Sequence, residues 1–240
     1  MMKNIRKVLS YKDNFYYWKE GDLHTKDGVI REKDIKNGIV KSNMNKEFYA
    51  FDAVFVDKIK RIKRGPQVML EKDIGLIVTY CGLGKESEVV EAGSGCGRLS
   101  AFLGRISKAV YSYEKREDFF KLAKDNLEFL DIKNVKLKNK DIYEGIEEDG
   151  LDLVVLDLSE PWNVVKSANE KLKNGGFLVC YLPTIVQVEN LVNKLKDFND
   201  FYLDKTVELI EREWHVEDVK VRPKSKMIAH TGFLVFVRKL

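Results

Sequence analysis

From Val89 onward, short apolar runs alternate with longer stretches whose apolar residues recur every three to four positions, and this alternation restricts the fold more than any other feature. Short runs bounded by turn residues bury as strands, periodic stretches bury one face of a helix, and their regular succession reads as a parallel sheet covered by helices. The spacing predicts strands at Glu88 to Glu91, Ala109 to Tyr113, Val135 to Leu137, Leu153 to Leu156 and Phe177 to Leu182. Between them it predicts helices at Arg98 to Ile106, Arg116 to Leu130, Trp162 to Leu172 and Ile185 to Phe198, with a leading helix from Asp73 to Tyr80. Two closing strands, Tyr202 to Trp214 and Gly232 to Val237, make seven, the last two expected as an antiparallel pair at one edge. The fold class is α/β, with a seven-stranded, mostly parallel sheet and helices on both faces.

The first ~60 residues differ, because Gly21, Gly28 and Gly38 interrupt short aromatic and apolar runs and no long helical period develops. They read as a small β-rich N-terminal domain over residues 1–64, followed by one larger domain over 65–240 after the break at Arg64-Gly65-Pro66. No segment approaches the ~20 apolar residues that span a bilayer, and the charged, aromatic N-terminus lacks a signal-like apolar run. The reading is an unexported, cytoplasmic protein without membrane contact. Cys81, Cys96 and Cys180 are odd in number with no paired spacing, so neither a metal site nor a disulfide framework is expected. With 42 Lys and Arg against 38 Asp and Glu the net charge is only +4, so clustering matters more than the total. Lys58, Lys60, Arg61, Lys63 and Arg64 form one basic stretch and Lys220, Arg222, Lys224 and Lys226 another, each either a solvated face or a track for phosphates.

Val89-Val90-Glu91-Ala92-Gly93-Ser94-Gly95-Cys96-Gly97 is a predicted strand running into a glycine-rich turn and then a helix. Glycines there let a ligand approach the backbone and present amide donors at a helix N-terminus. The turn reads G-x-G-x-G rather than the dinucleotide fingerprint G-x-G-x-x-G, and a tight turn with no ligand is the alternative. The next strand ends in Glu114, about twenty residues beyond the turn, where a carboxylate grips ribose hydroxyls. Asp141 follows the third strand, placed to accept from an adenine amino group or simply exposed on a loop. The fourth strand ends in Asp157, at the carboxyl edge where open α/β sheets bind ligands.

In this order, EAGSGCG, SYE, KDI and LDLSEPW resemble motifs I to IV of the Rossmann-like, class I S-adenosylmethionine-dependent methyltransferases. RGPQ (64–67), KDIGLI (72–77), YLPTIVQV (181–188), and RP with HTGF (222–233) resemble one subfamily, the tRNA (adenine-58-N1)-methyltransferases of TrmI type, and DLHTKDGVI (22–30) is similar to its small N-terminal domain. The resemblance implies S-adenosyl-L-methionine as cofactor, tRNA as partner, adenine 58 of the T-loop as target with adenine 57 as a further archaeal site, and a homotetramer. It implies a cofactor site of Gln67, Glu91, Gly93, Ser94, Gly95, Cys96, Gly97, Arg98, Leu99, Glu114, Lys115, Asp141, Ile142 and Asp157. Two departures stand out: Leu70 replaces the Tyr or His of relatives, and Ser159-Glu160 replaces part of D-L-P-x-P.

Adenine N1 has an in-plane lone pair, so transfer needs positioning more than a strong base. Asp157, the catalytic candidate, is expected to accept from the N6 amino group and stabilise the cationic product. Tyr181 and Trp162 are candidates to stack on the target base, with core packing as their alternative. Arg61, Arg64, Arg222 and His230 are candidates to face the tRNA. Two other readings stay open: a small-molecule, precorrin-like methyltransferase, and a non-catalytic tRNA-binding subunit.

Overall fold

The computed structural model describes residues 4–65 and 68–240, and Gln67 lies outside them. The chain divides into two compact units, one comprising the residues up to Lys63 together with Glu128–Asp131, the other Arg64–Leu127 and Ile132–Leu240.

The first unit holds β1 (Lys7–Tyr11), β2 (Asn14–Trp18), β3 (Leu23–Thr25), β4 (Gly28–Ile30), β5 (Gly38–Lys41), β6 (Glu47–Asp52) and the short helix α1 (Phe55–Ile59). Four of the strands form an antiparallel sheet in the order β2-β1-β6-β5, and β3 pairs with β4 as a separate hairpin. Burial in β6 alternates, Phe48 and Ala50 inside and Glu47 and Tyr49 outside, as expected for a sheet buried on one face. Phe48 centres the core, with the Tyr11 and Tyr16 rings at 4.9 and 5.8 Å and Leu9, Trp18, Ile30 and Val40 around it.

The second unit begins with α2 (Glu71–Tyr80) and continues β7 (Glu88–Ala92), α3 (Arg98–Gly104), β8 (Ala109–Tyr113), α4 (Glu117–Phe129, whose last two residues count with the first unit), β9 (Val135–Lys138) and β10 (Leu151–Leu156). It closes with α5 (Val165–Lys171), β11 (Leu172–Leu182), α6 (Ile185–Leu195), β12 (Phe201–Glu208), β13 (Trp214–Glu217), β14 (Lys220–Pro223) and β15 (Phe233–Lys239). The seven-stranded sheet has the order β12-β15-β11-β10-β7-β8-β9. All neighbours from β11 to β9 are parallel, and β15 is antiparallel to both β11 and β12. The central strands are apolar on both sides because helices cover both faces: Leu151, Leu153, Val154, Val155 and Leu156 of β10 are all fully buried. In α6, Val188, Leu191 and Leu195 bury one helical stripe, and Thr184 caps the helix by accepting from the Gln187 amide.

The closing segment departs from expectation. Tyr202 to Trp214 is not one strand, because β12 ends at Glu208, which pairs with Phe233, the first residue of β15. Trp214 instead opens a two-stranded hairpin in which β13 pairs with β14 across Asp218, whose φ is 47°. Available partners, not β propensity, set the strand length. The helix expected from Trp162 begins as a 3-10 turn over Pro161–Asn163 and becomes α5 only at Val165.

Candidate active site

Strand order reverses at the centre of the sheet, where β7 is flanked by β8 on one side and β10 on the other. Helices leaving neighbouring strands diverge at such a switch point and open a crevice at the carboxyl ends. A cavity of about 310 Å³ lies there, walled by Gly93 and Gly95 after β7, Glu114 after β8, Asp141 and Ile142 after β9, and Asp157 and Leu158 after β10.

The turn after β7 is shaped by backbone. Gly95 has φ +55° and no atom within 4 Å of the place a Cβ would take, so a side chain there would project into open space. Its amide donates to Glu114 Oε2 at 2.9 Å, and the Arg116 amide donates to Glu114 Oε1 at 3.0 Å. Two bonds leave a carboxylate with further acceptor capacity, and Glu114 borders the cavity with it. Asp141 accepts from the Tyr143 amide at 3.1 Å and lies 3.6 Å from the Lys115 ammonium. Beneath the turn, the Ser94, Ser112 and Ser100 hydroxyls form a buried chain with contacts of 2.5 and 3.1 Å. Glu91 is buried beside them with no hydrogen-bond partner of proper geometry for either oxygen. Burial pushes its carboxyl up to about 7, with the nearby Ser100 and Ser112 hydroxyls pulling the other way.

A second cavity, of about 260 Å³, is lined by Met69, Leu70, Asp157, Tyr181, Ile228 and Thr231, with Val68 and Pro183. Its walls are fixed by a buried polar network. The Lys72 ammonium donates to Asp73 Oδ1 at 2.8 Å, to the Leu209 carbonyl at 2.8 Å and to Thr231 Oγ1 at 2.7 Å. Thr231 in turn donates to Asp73 Oδ2 at 3.1 Å, and its carbonyl accepts from the Tyr181 hydroxyl at 2.7 Å. Asp73 is wholly buried, so both of its oxygens need these donors. His230 ties the same segment down, with Nδ1 2.5 Å from Glu208 Oε1 and Nε2 2.8 Å from the Pro183 carbonyl. Glu208 and the Pro183 carbonyl both accept, so the pair of contacts is complete only when both ring nitrogens carry protons, and the Glu208 bond accordingly raises the His230 pKa.

Asp157 borders both cavities. Its amide donates to the Ala92 carbonyl at 2.6 Å, fixing the residue at the end of β10. No hydrogen-bond or ion-pair partner for its carboxylate occurs among the described residues, and desolvation raises its pKa to about 6. An acceptor in such a position is available to whatever meets the two cavities.

Of the residues expected from sequence, Gly93, Gly95, Glu114, Lys115, Asp141, Ile142 and Asp157 border the larger cavity and Tyr181 the smaller. Cys96, Arg98 and Leu99 face the protein: the Cys96 carbonyl accepts from Asn126, Arg98 is ion-paired with Glu71, and Leu99 joins the core. Gly97, at φ +76°, lets α3 pack against Ala123. Trp162 packs on the main core and lines neither cavity. Arg64 and Arg222 are exposed, and the Arg61 guanidinium sits 4.0 Å above the Tyr17 ring. The sequence reading missed Phe119 and Tyr143 of the larger cavity and Thr231, Met69 and Ile228 of the smaller. Phe119 carried a signal, as an apolar residue in the first turn of the helix after Glu114. Thr231 carried none beyond its place beside His230.

The family described as "tRNA methyltransferase complex GCD14 subunit" matches residues 60–231. The chain is 37% identical to the tRNA (adenine(57)-N(1)/adenine(58)-N(1))-methyltransferase TrmI of Methanocaldococcus jannaschii, over 88% of this chain and 86% of that protein. Among solved structures, tRNA (m1A58) methyltransferase TrmI from Aquifex aeolicus superposes with a TM-score of 0.82 at 28% identity, covering 100% of this chain and 98% of that one. An S-adenosylmethionine-dependent O-methyltransferase from Thermotoga maritima gives 0.87 at 29% identity, covering 100% and 94%. The relatives and the switch-point cavity agree, and the chain belongs to the GCD14 and TrmI family of methyltransferases.

Proposed function

We propose that this protein transfers the methyl group of S-adenosylmethionine to N1 of adenine in the T-loop of tRNA, at position 58 with position 57 as a second target. The observation that carries the reading is the Asp157 carboxylate, without a partner among the described residues, at the wall shared by two cavities, an arrangement suited to a donor on one side and an acceptor base on the other.

The larger cavity fits the donor. Glu114 retains acceptor capacity for a ribose diol, Asp141 offers a carboxylate to an adenine amino group, and Ile142, Phe119 and Leu158 supply apolar surface for a flat ring. The space above Gly95 that a Cβ would fill admits a ligand against bare backbone. When bound, the cofactor supplies an electrophilic methyl group on a cationic sulfur. Asp157 then orients the target by accepting from the adenine N6 amino group, and it favours the positive charge that grows on the ring. With a pKa near 6 it is ionised at neutral pH. Tyr181, its hydroxyl tied to Thr231, presents a fixed ring to the base. Taking the base out of its stack costs a few kcal/mol, to be offset by such contacts.

The 65–240 domain is read as the catalytic one, and Arg64, Arg222 and His230, with Arg61 of the small N-terminal domain, as tRNA contacts. A homotetramer in the cytoplasm completes the proposal. No helix among the described residues is long and apolar enough to cross a membrane. Likeness to tRNA methyltransferases over most of the chain, together with Asp157 in place, supports this over a tetrapyrrole methyltransferase or a non-catalytic subunit. The test is incubation with labelled S-adenosylmethionine and unmodified tRNA transcripts, followed by mapping of reverse-transcription stops. A stop at 58, lost when that adenine is replaced, is expected; absence of label in tRNA would overturn the proposal.

A further inference from the structure

The sheet of the first unit has one face packed on its core, while the opposite face is closed at Val8, which is fully buried, and exposed at the residues around it. Register places Phe15, Ser10, Tyr49 and Ile39 in a single row across β2, β1, β6 and β5. On that opposite face Phe15 is 56% exposed, Tyr49 63%, Ile39 54% and Phe51 40%. Neighbouring strands lie ~4.8 Å apart, so the two aromatic residues stand about 10 Å apart with only a serine between them. The row thus sets two exposed aromatic side chains on either side of a small polar one. In the adjoining row, Tyr17 carries the Arg61 guanidinium, and a cavity of about 460 Å³ opens there between Phe15, Tyr17, Lys19 and Arg61.

Charge indicates the occupant. Residues 4–63 contain 14 Lys and Arg against 9 Asp and Glu, a surplus of five in a chain whose total is only +4. A cationic unit with exposed aromatic rings and a stacked guanidinium has the chemistry of a surface for unpaired nucleotides, whose bases stack on rings and whose phosphates follow cations.

We propose that this exposed part of the face is a stacking platform for unpaired bases of the RNA substrate, with Phe15 and Tyr49 as the rings and Arg61 and Lys19 as the flanking cations. It rests on the tRNA reading above. The platform grips RNA outside the cavities at Asp157 and acts on affinity, not on the chemical step.

The test is binding of full-length unmodified tRNA transcript to the whole protein at several salt concentrations. Phe15→Ala with Tyr49→Ala is expected to weaken binding by about tenfold to a hundredfold, the range for lost base stacking. The salt slope should stay unchanged because no phosphate contact is removed. Phe15→Tyr with Tyr49→Phe keeps both rings and should bind as wild type. Molar mass by light scattering, melting temperature and S-adenosylmethionine affinity should not move. Wild-type affinity in the double alanine variant would overturn the platform while leaving the methyltransferase reading intact, provided the wild type methylates tRNA. A loss of affinity accompanied by a fall in molar mass would also overturn it, identifying the face as a contact between copies of this chain. Failure of the wild type to bind or methylate tRNA would remove the function and the platform together.

Discussion

The larger of the two cavities at Asp157 is walled by residues that follow four consecutive parallel strands, Gly93, Glu114, Asp141 and Asp157, each within a few positions of its strand end. The smaller one draws on Leu70, Tyr181, Ile228 and Thr231, held by bonds such as Lys72 to Thr231 that join residues 159 positions apart. One is made by strand ends and backbone amides, the other by side chains brought in from distant segments. On the function proposed above, the difference teaches where each half of the reaction would be vulnerable: the donor side through single acceptors and glycines, the acceptor side through packing, with Asp157 belonging to both.

The largest effect is expected at that shared residue. Asp157→Asn keeps the shape and one acceptor but removes the charge that a cationic product feels, and losing one preorganised contact of this kind lowers kcat by about 10²–10³. Single-turnover rates at saturating tRNA and cofactor should drop, while the separately measured affinities hold. Stability should move the other way. Desolvation raises the Asp157 pKa from 3.8 to about 6, so the folded state holds this proton more tightly and stability falls as pH climbs between those values. The asparagine variant lacks that loss, and its melting temperature at pH 8 should exceed wild type by about 3–8 °C. A variant that is both slower and less stable would contradict the desolvated carboxylate.

Next in size is a change confined to the donor side. Glu114→Ala removes the proposed ribose acceptor and should weaken S-adenosylmethionine binding by about 10–100-fold, the range for a hydrogen bond to a charged group, with tRNA affinity unchanged. Calorimetry with each ligand would expose any mixing of the two sides.

Its acceptor-side counterpart is Gly232→Ala. A Cβ there would lie 2.7 Å from Tyr181 Cζ and 2.8 Å from Cε2, so the ring must shift. Overpacking of ~1–3 kcal/mol should appear as about tenfold lower kcat/KM for tRNA with normal cofactor affinity. Equal loss for both ligands would show that the cavities are not separable.

The smallest effect is expected at His230, whose contacts to Glu208 and the Pro183 carbonyl need the doubly protonated ring. Glu208 raises its pKa and the Lys72 cation opposes that rise. The contact is therefore complete below the ordinary histidine value of 6.5 and lost as pH rises through the raised folded value. KM for tRNA should increase about twofold across that range, as befits an exposed ion pair, and His230→Gln should flatten the profile. A flat wild-type profile would remove His230 from the acceptor side.

Legibility followed the same division. The turn at Gly93 to Gly97 and the carboxylates at Glu114, Asp141 and Asp157 could be read because each sits at the end of its own apolar run. Trp162 could not be placed, since an aromatic residue beside a strand end packs inward or outward according to what covers it, and here the core takes it. The hairpin of β13 and β14 escaped because a long run of strand-forming residues from Tyr202 to Trp214 does not reveal where its partner strand stops.

By itself the sequence determined the order of strands and helices from α2 to α6, the glycine turn and the carboxylates at the strand ends, because those depend on apolar periodicity and on contacts within a few residues. Tertiary structure alone decided that Leu70, Tyr181, Ile228 and Thr231 share one cavity and that Asp157 faces it as well as the other. The physical reason is that β15 inserts between β11 and β12, bringing the segment before it to the end of β11. There the buried Asp73 and the half-buried Lys72 must find partners, and only the folded arrangement supplies Thr231 and the Leu209 carbonyl to satisfy them.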